Sequence, residues 1–213
     1  MLAGVVGNSV VTDVMGLISE SLTVPVLVIL LVFVAISIFI LGTLVKEYFV
    51  REKVSVGDVS DLIYRINSSA DVDELKSSIS DSNIASRHKS VLLEIADSSS
   101  LSVASREALA RKLIEGESKT INNRLRYTDI ITRIGPTLGL MGTLIPMGPG
   151  LAALGAGDIN TLATSLTLAF NTTIVGIGSG ALCYVLGKIR KSWYDKYLAD
   201  LDALSDAVLD YMD

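Results

Sequence analysis

Between residues 134 and 187 the chain carries many hydroxyls, two amides and closely spaced glycines, but a single acid, Asp158, and no base. Gly135 and Gly139 stand four apart, Gly142 follows, and Gly176 and Gly180 repeat the spacing. Small residues four apart bare a helix backbone, so two membrane helices can approach closely. At about 100° per helical residue, Asn160, Thr164, Thr167 and Asn171 form one polar stripe, while Thr173 points nearly the opposite way. Thr143 shares a face with Pro136 and Gly139. Hydroxyls and amides can hydrogen-bond a carboxyl group or an ion, but they do not titrate near neutral pH. An ion carrier inside hydrocarbon normally needs an ionisable side chain. Conduction through these residues would therefore need a carboxyl group from another protein.

The elements that position these groups follow from where charge is missing. The chain has 213 residues, of which 50% are hydrophobic and 19% charged, with mean hydropathy +0.52. Fourteen of the 18 Lys and Arg fall between Lys46 and Arg133, and four between Lys188 and Lys196. Residues 23–44, 134–157 and 159–187 hold no charge at all. A hydrocarbon core of about 30 Å takes roughly 20 helical residues, so each stretch is long enough to cross it. The sequence predicts an all-α membrane protein with three transmembrane helices, two long helices extending into the cytoplasm and a small helical cytoplasmic domain. The expected divisions are an extracytoplasmic amphipathic helix over 1–22, spans over 23–45, 134–157 and 158–187, a cytoplasmic helical region over 46–133, and a cytoplasmic C-terminal helix over 188–213.

Basic residues near span ends mark the cytoplasmic side. Lys46, Arg51 and Lys53 follow span one, Arg124, Arg126 and Arg133 precede span two, and Lys188, Arg190 and Lys191 follow span three. All three groups give the same orientation, with the N-terminus outside and the C-terminus inside. No basic stretch precedes span one and no small-x-small site follows it, so a cleavable signal peptide is not expected. Leu2, Val6, Val10, Val14 and Leu17 share the apolar face of the first helix.

Short apolar periodicities over 58–66, 71–79 and 86–96 predict small helices, and the serine clusters at 68–69 and 98–100 predict breaks with N-cap chemistry. From 103 to about 145 one long helix is expected, with Pro146 and Pro149 loosening its outer half. Leu198, Leu201, Leu204 and Val208 predict a packed helix beyond span three. Trp193, Tyr194 and Tyr197 read as interfacial anchors.

Several function classes are excluded. One Cys and one His leave no cysteine-based zinc site, and no cofactor or metal is expected. Cys183 sits among apolar residues as inert packing, and His88, between Arg87 and Lys89, is expected to be solvated. No GK[ST] phosphate loop is present, and the glycines of GIGSGA do not follow a strand. An enzyme is not expected. The net charge of −5 argues against nucleic acid as a partner.

The segment GPTLGLMGTLIPM at 135–147 resembles the second-span motif A-P-x-x-G-L-x-G-T-V of the MotA/TolQ/ExbB family. AFNTTIVGIGSGALCYVL at 169–186 resembles its third-span motif, A-L-x-x-T-A-x-G-L-x-x-A-I-P. Three spans and a large first cytoplasmic loop resemble ExbB and TolQ more than the four-span MotA. The resemblance implies a homopentamer in the inner membrane, surrounding the single-span helices of an ExbD/TolR/MotB-like partner. A membrane aspartate of that partner would carry H⁺ or Na⁺. By motif position, Thr143 and Thr173 would be the hydroxyls facing it, with Gly135, Pro136, Gly139, Gly142, Gly176 and Gly180 packing helices or facing the pore. Leu168 stands where the family often has an acid, and Asn171 and Thr172 replace small apolar residues. The implied function is an ion-motive-force-driven motor subunit; the alternative is an oligomeric membrane scaffold that does not conduct.

Overall fold

The computed structural model describes residues 2–50 and 54–212, the side chains of 2–10 and 12 aside. All regular structure among the described residues is helical, and three helices are long and apolar enough to cross a membrane. The protein is an all-α membrane protein. The chain divides into two compact units, Met1–Val45 with Arg126–Lys188, and Lys46–Leu125 with Ile189–Asp213.

In the first unit, α1 spans Leu2–Val50. The helix expected over 1–22 does not end before the span: the two form one continuous helix, which runs through Pro25. Of its expected apolar face, Val14 and Leu17 are exposed, while Leu2, Val6 and Val10 lie outside the described side chains. Val26, Leu30, Ser37, Ile40 and Leu44 are buried, at steps of four, seven, three and four. That spacing puts them on one helix face. Leu31 and Phe39 lie off that face and are about 70% exposed, as lipid-facing side chains should be.

The second and third apolar stretches belong to α5, Val103–Gly155, and α6, Ile159–Tyr211. The fifth helix continues ten residues past the expected 145, through Pro136, Pro146 and Pro149. Gly157, at φ +82°, ends it: its N–H donates to Leu154 O, and Asp158 N donates to Ala153 O. This is a Schellman closure, which needs a residue free to adopt left-handed backbone. Asp158 then caps α6 by accepting from Thr161 N at 3.0 Å.

The second unit packs three short helices, α2 (Val56–Ser68), α3 (Val72–Asp81) and α4 (Ser86–Ala96), with its own parts of α5 and α6. Its core holds Leu62, Ile66, Leu75, Ile79, Leu92 and Ile95 against Leu201, Leu204 and Val208, all 0–1% exposed. Each such side chain contributes roughly 1.5–3 kcal/mol by leaving water. Ser55 and Asp58 form a reciprocal capping box at the start of α2, and Asp71 caps α3. The serine clusters act differently from expectation. Ser69 is the C-cap of α2, its hydroxyl donating back to Arg65 O, and Ser98–Ser100 lie in a short 3₁₀ turn. Serines that close a helix by bonding the carbonyl four residues back look the same in sequence as serines that open one.

Candidate functional site

The residues that could handle an ion lie on α5 and α6 within the first unit. Glycines set how closely the two helices meet. A Cβ on Gly176 would stand 2.6 Å from Gly135 O and 2.7 Å from Gly139 Cα. On Gly180 it would stand 2.8 Å from Pro136 Cδ, and on Gly142 2.7 Å from Thr172 Cβ. Gly150 meets Ser165 in the same way at 2.9 Å. As numbering rises along α5 the facing residue on α6 falls in nearly equal steps, which is an antiparallel pair in backbone contact. Gly135, Pro136, Gly139, Gly142, Gly176 and Gly180 are thus gathered into one seam inside a single chain.

Thr143 and Thr173 border this seam. Thr173 Cα would lie 3.4 Å from a Cβ on Gly139, and Thr143 is one turn beyond Gly139 on the same helix. Both threonines are half-buried. Thr143 Oγ1 donates to Leu140 O at 2.6 Å and Thr173 Oγ1 donates to Ala169 O at 3.3 Å. The hydroxyl hydrogens are engaged by the helices' own carbonyls, leaving oxygen lone pairs to accept from another group.

Asn160, Thr164, Thr167 and Asn171 are all exposed along the outer side of α6. Thr164 and Thr167 turn their hydroxyls to Asn160 O and Ala163 O. Both asparagines are exposed on a helix long and apolar enough to cross a membrane.

Three features here escape the sequence reading. Thr172, 4% exposed, is the side chain that fills the notch at Gly142. Ser37, 2% exposed, lies 3.2 Å from Cys183 Sγ and joins α1 to α6. Thr128 packs against Gly187, extending the seam by a further contact. The signal available for each was the small partner opposite, which cannot be recognised until the helix register is known.

The second unit corrects another expectation. His88 is not solvated: it is 1% exposed and stacks on Tyr197 with ring centroids 4.2 Å apart. Its Nε2 lies 3.0 Å from Tyr197 O, which fixes the proton on that nitrogen. Burial pushes its pKa below the usual histidine value, opposed by that bond and by Asp200 and Glu117. Tyr197 reaches Glu117 through its hydroxyl at 3.3 Å, and Glu117 pairs with Arg87 at the same distance. Tyr194 donates to Glu47 at 2.8 Å, and Glu47 pairs with buried Arg190 at 3.0 Å. These tyrosines are tied into a polar network.

Antiparallel α5 and α6 with threonines beside a glycine seam, in a chain of three apolar helices, are the features the sequence motifs at 135–147 and 169–186 require. Residues 76–203, more than half of the chain, match the MotA/TolQ/ExbB proton channel family. The chain belongs to that family. No curated protein matches it. The matched region takes in the whole glycine seam, both bordering threonines and the polar stripe. As a member of a proton channel family, the chain is a membrane protein of the ion-conducting motor type.

Proposed function

We propose that the chain is an ExbB/TolQ-like motor subunit of the cytoplasmic membrane and has no enzymatic activity. Copies of it form a ring, a pentamer by family likeness, around single-span helices of an ExbD/TolR/MotB-like partner. The partner's membrane aspartate carries H⁺ or Na⁺, and the flow drives mechanical work or transport across the envelope. The N-terminus lies outside and the C-terminus inside, following the basic residues at the span ends.

One observation carries this reading. Asn160, Thr164, Thr167 and Asn171 make an exposed polar stripe on a membrane-crossing helix. Amides facing lipid have no hydrogen-bond partners, so such a stripe belongs against another protein surface or a water-filled path. Thr143 and Thr173 add the chemistry. Their hydroxyl hydrogens are held by Leu140 O and Ala169 O, so their oxygens act as acceptors. A protonated carboxyl group donates to such oxygens and an ionised one cannot. The pair therefore favours the neutral form of a partner's aspartate, the form that crosses hydrocarbon at least cost.

The test is Thr143→Val with Thr173→Val, which keeps shape and removes both oxygens. The oligomer should assemble with its partner while ion flux in reconstituted vesicles falls at least tenfold. Wild-type flux in the double variant would refute the assigned path. Purification of the oligomer with no single-span partner would favour the scaffold reading.

A further inference from the structure

The second unit holds a cavity of about 450 Å³ that the proposed ion path does not use, with Trp193, Tyr197, Arg124 and Asp200 in its wall. Its volume falls in the range of small-ligand sites, roughly 300–1,000 Å³. Its wall comes from the residues that flank all three apolar stretches on one side. Glu47 follows the first stretch by three residues, Arg124 precedes the second by ten, and Trp193 follows the third by six. At about 1.5 Å per helical residue, none is more than about 15 Å of helix from an apolar stretch.

The charges in the wall are not equivalent. Glu47 is taken up by Arg190 and Tyr194, and Arg87 by Glu117. Arg124, beside the Tyr194 hydroxyl, and Asp200 make no ion pair among the described residues. The cavity thus offers a guanidinium for an anion, a carboxylate for a hydrogen-bond donor, and aromatic faces for carbon. Tryptophan and tyrosine with basic residues near span ends are the side chains that meet lipid headgroups.

We propose that this cavity binds the headgroup of a membrane phospholipid. The phosphodiester sits on Arg124, the headgroup's hydroxyl or ammonium donates to Asp200, and the glycerol carbons lie against Trp193 and Tyr197. The inference rests on the chain's crossing a membrane and not on ion conduction, so either can fail without the other.

Trp193 is the only tryptophan in the chain, so its emission reports on the cavity. The full-length protein in detergent micelles is titrated with dihexanoyl phosphatidylglycerol, phosphatidylethanolamine and phosphatidylcholine, and separately with inorganic phosphate. The glycerol and ethanolamine headgroups carry donors, whereas choline carries none. The expected result is a saturable emission change at least tenfold tighter for the two donor-bearing lipids than for phosphatidylcholine, and no saturation by phosphate. Arg124→Gln should weaken both donor-bearing lipids about tenfold, and Asp200→Ala should bring them to the level of phosphatidylcholine. Equal response to all three lipids, no saturable response, or saturation by inorganic phosphate alone would overturn the proposal. The headgroup comparison uses the unaltered protein, so it decides the matter even if a variant does not fold.

Discussion

Gly176→Ala adds one methyl group where α6 crosses α5. The new carbon would stand 2.6 Å from Gly135 O, 2.7 Å from Gly139 Cα and 2.9 Å from Gly139 N. Ordinary contact begins near 3.4 Å, and all three neighbours are backbone, so no rotamer can relieve the clash. The helices must part by about 0.8 Å, and the neighbouring contacts at Gly139 and Gly180 loosen with them. Overpacking of this kind costs about 1–3 kcal/mol. Gly178→Ala, two residues along the same helix, meets nothing within 4 Å. It gains the helix preference of alanine over glycine, up to about 1 kcal/mol. The two single-methyl variants should therefore differ by about 1–4 kcal/mol, in opposite directions from the parent. Reversible unfolding of the purified chain from mild detergent into dodecyl sulfate, followed by circular dichroism, measures this. Equal stability of the two variants, within about 0.5 kcal/mol, would refute the claim that α5 and α6 meet through bare backbone.

Three other outcomes follow from the same geometry. Gly180→Ala should destabilise by pressing on the Pro136 ring at 2.8 Å, and adding Pro136→Ala should recover part of the loss, read as coupling in a double-mutant cycle. Glu47→Gln should cost about 2 kcal/mol in thermal or chemical unfolding, because the bonds from Arg190 at 3.0 Å and Tyr194 at 2.8 Å then meet a neutral amide in place of a carboxylate. His88 has a depressed pKa in the folded chain, so the unfolded chain binds its proton more readily; stability is intact above about pH 6.5 and falls as pH drops below it. His88→Gln should flatten that fall in melting curves taken from about pH 7.5 to about pH 5, and an unchanged slope would show that His88 does not set it.

The spans were legible because missing charge is a strong signal. The 22 consecutive uncharged residues from Thr23 to Leu44 match the length of a bilayer crossing, and a helix with one face in water would carry charge within a few turns. The glycines were legible as points of close approach, but not as a seam within one chain. A GxxxG stripe says that a backbone comes near, and nothing in it says whose. His88 was misread for a definite reason. Its neighbours Arg87 and Lys89 sit about 100° away on the helix and carry no information about its own face. The informative residues were Val91, Leu92 and Ile95, three, four and seven positions on, all of them buried. Tyr197 follows the same rule, since Leu201, Leu204 and Val208 place it on the packed side of α6. A lone polar residue takes its environment from positions i+3, i+4 and i+7, whatever its immediate neighbours are.

The glycine seam also narrows where a second protein can contact the spans. Gly135, Gly139, Gly142, Gly176 and Gly180 already meet backbone or side chains of their own chain, so they leave no open groove for a foreign helix. In the proposed assembly, contact with a partner then falls to surfaces that are polar yet uncovered. On α6 these are Asn160, Thr164, Thr167 and Asn171. They fall within a single stripe about 17 Å long at 1.5 Å per residue, roughly half the hydrocarbon thickness. Thr143 and Thr173 differ from that stripe in being half-buried at the border of the seam, where the oxygen of each is presented by a helix held rigidly against its neighbour. Rigid placement matters more for a group that must recognise one protonation state than for one that only covers surface. Within the proposed function, that is the physical reason for giving ion handling to the two threonines and assembly to the stripe.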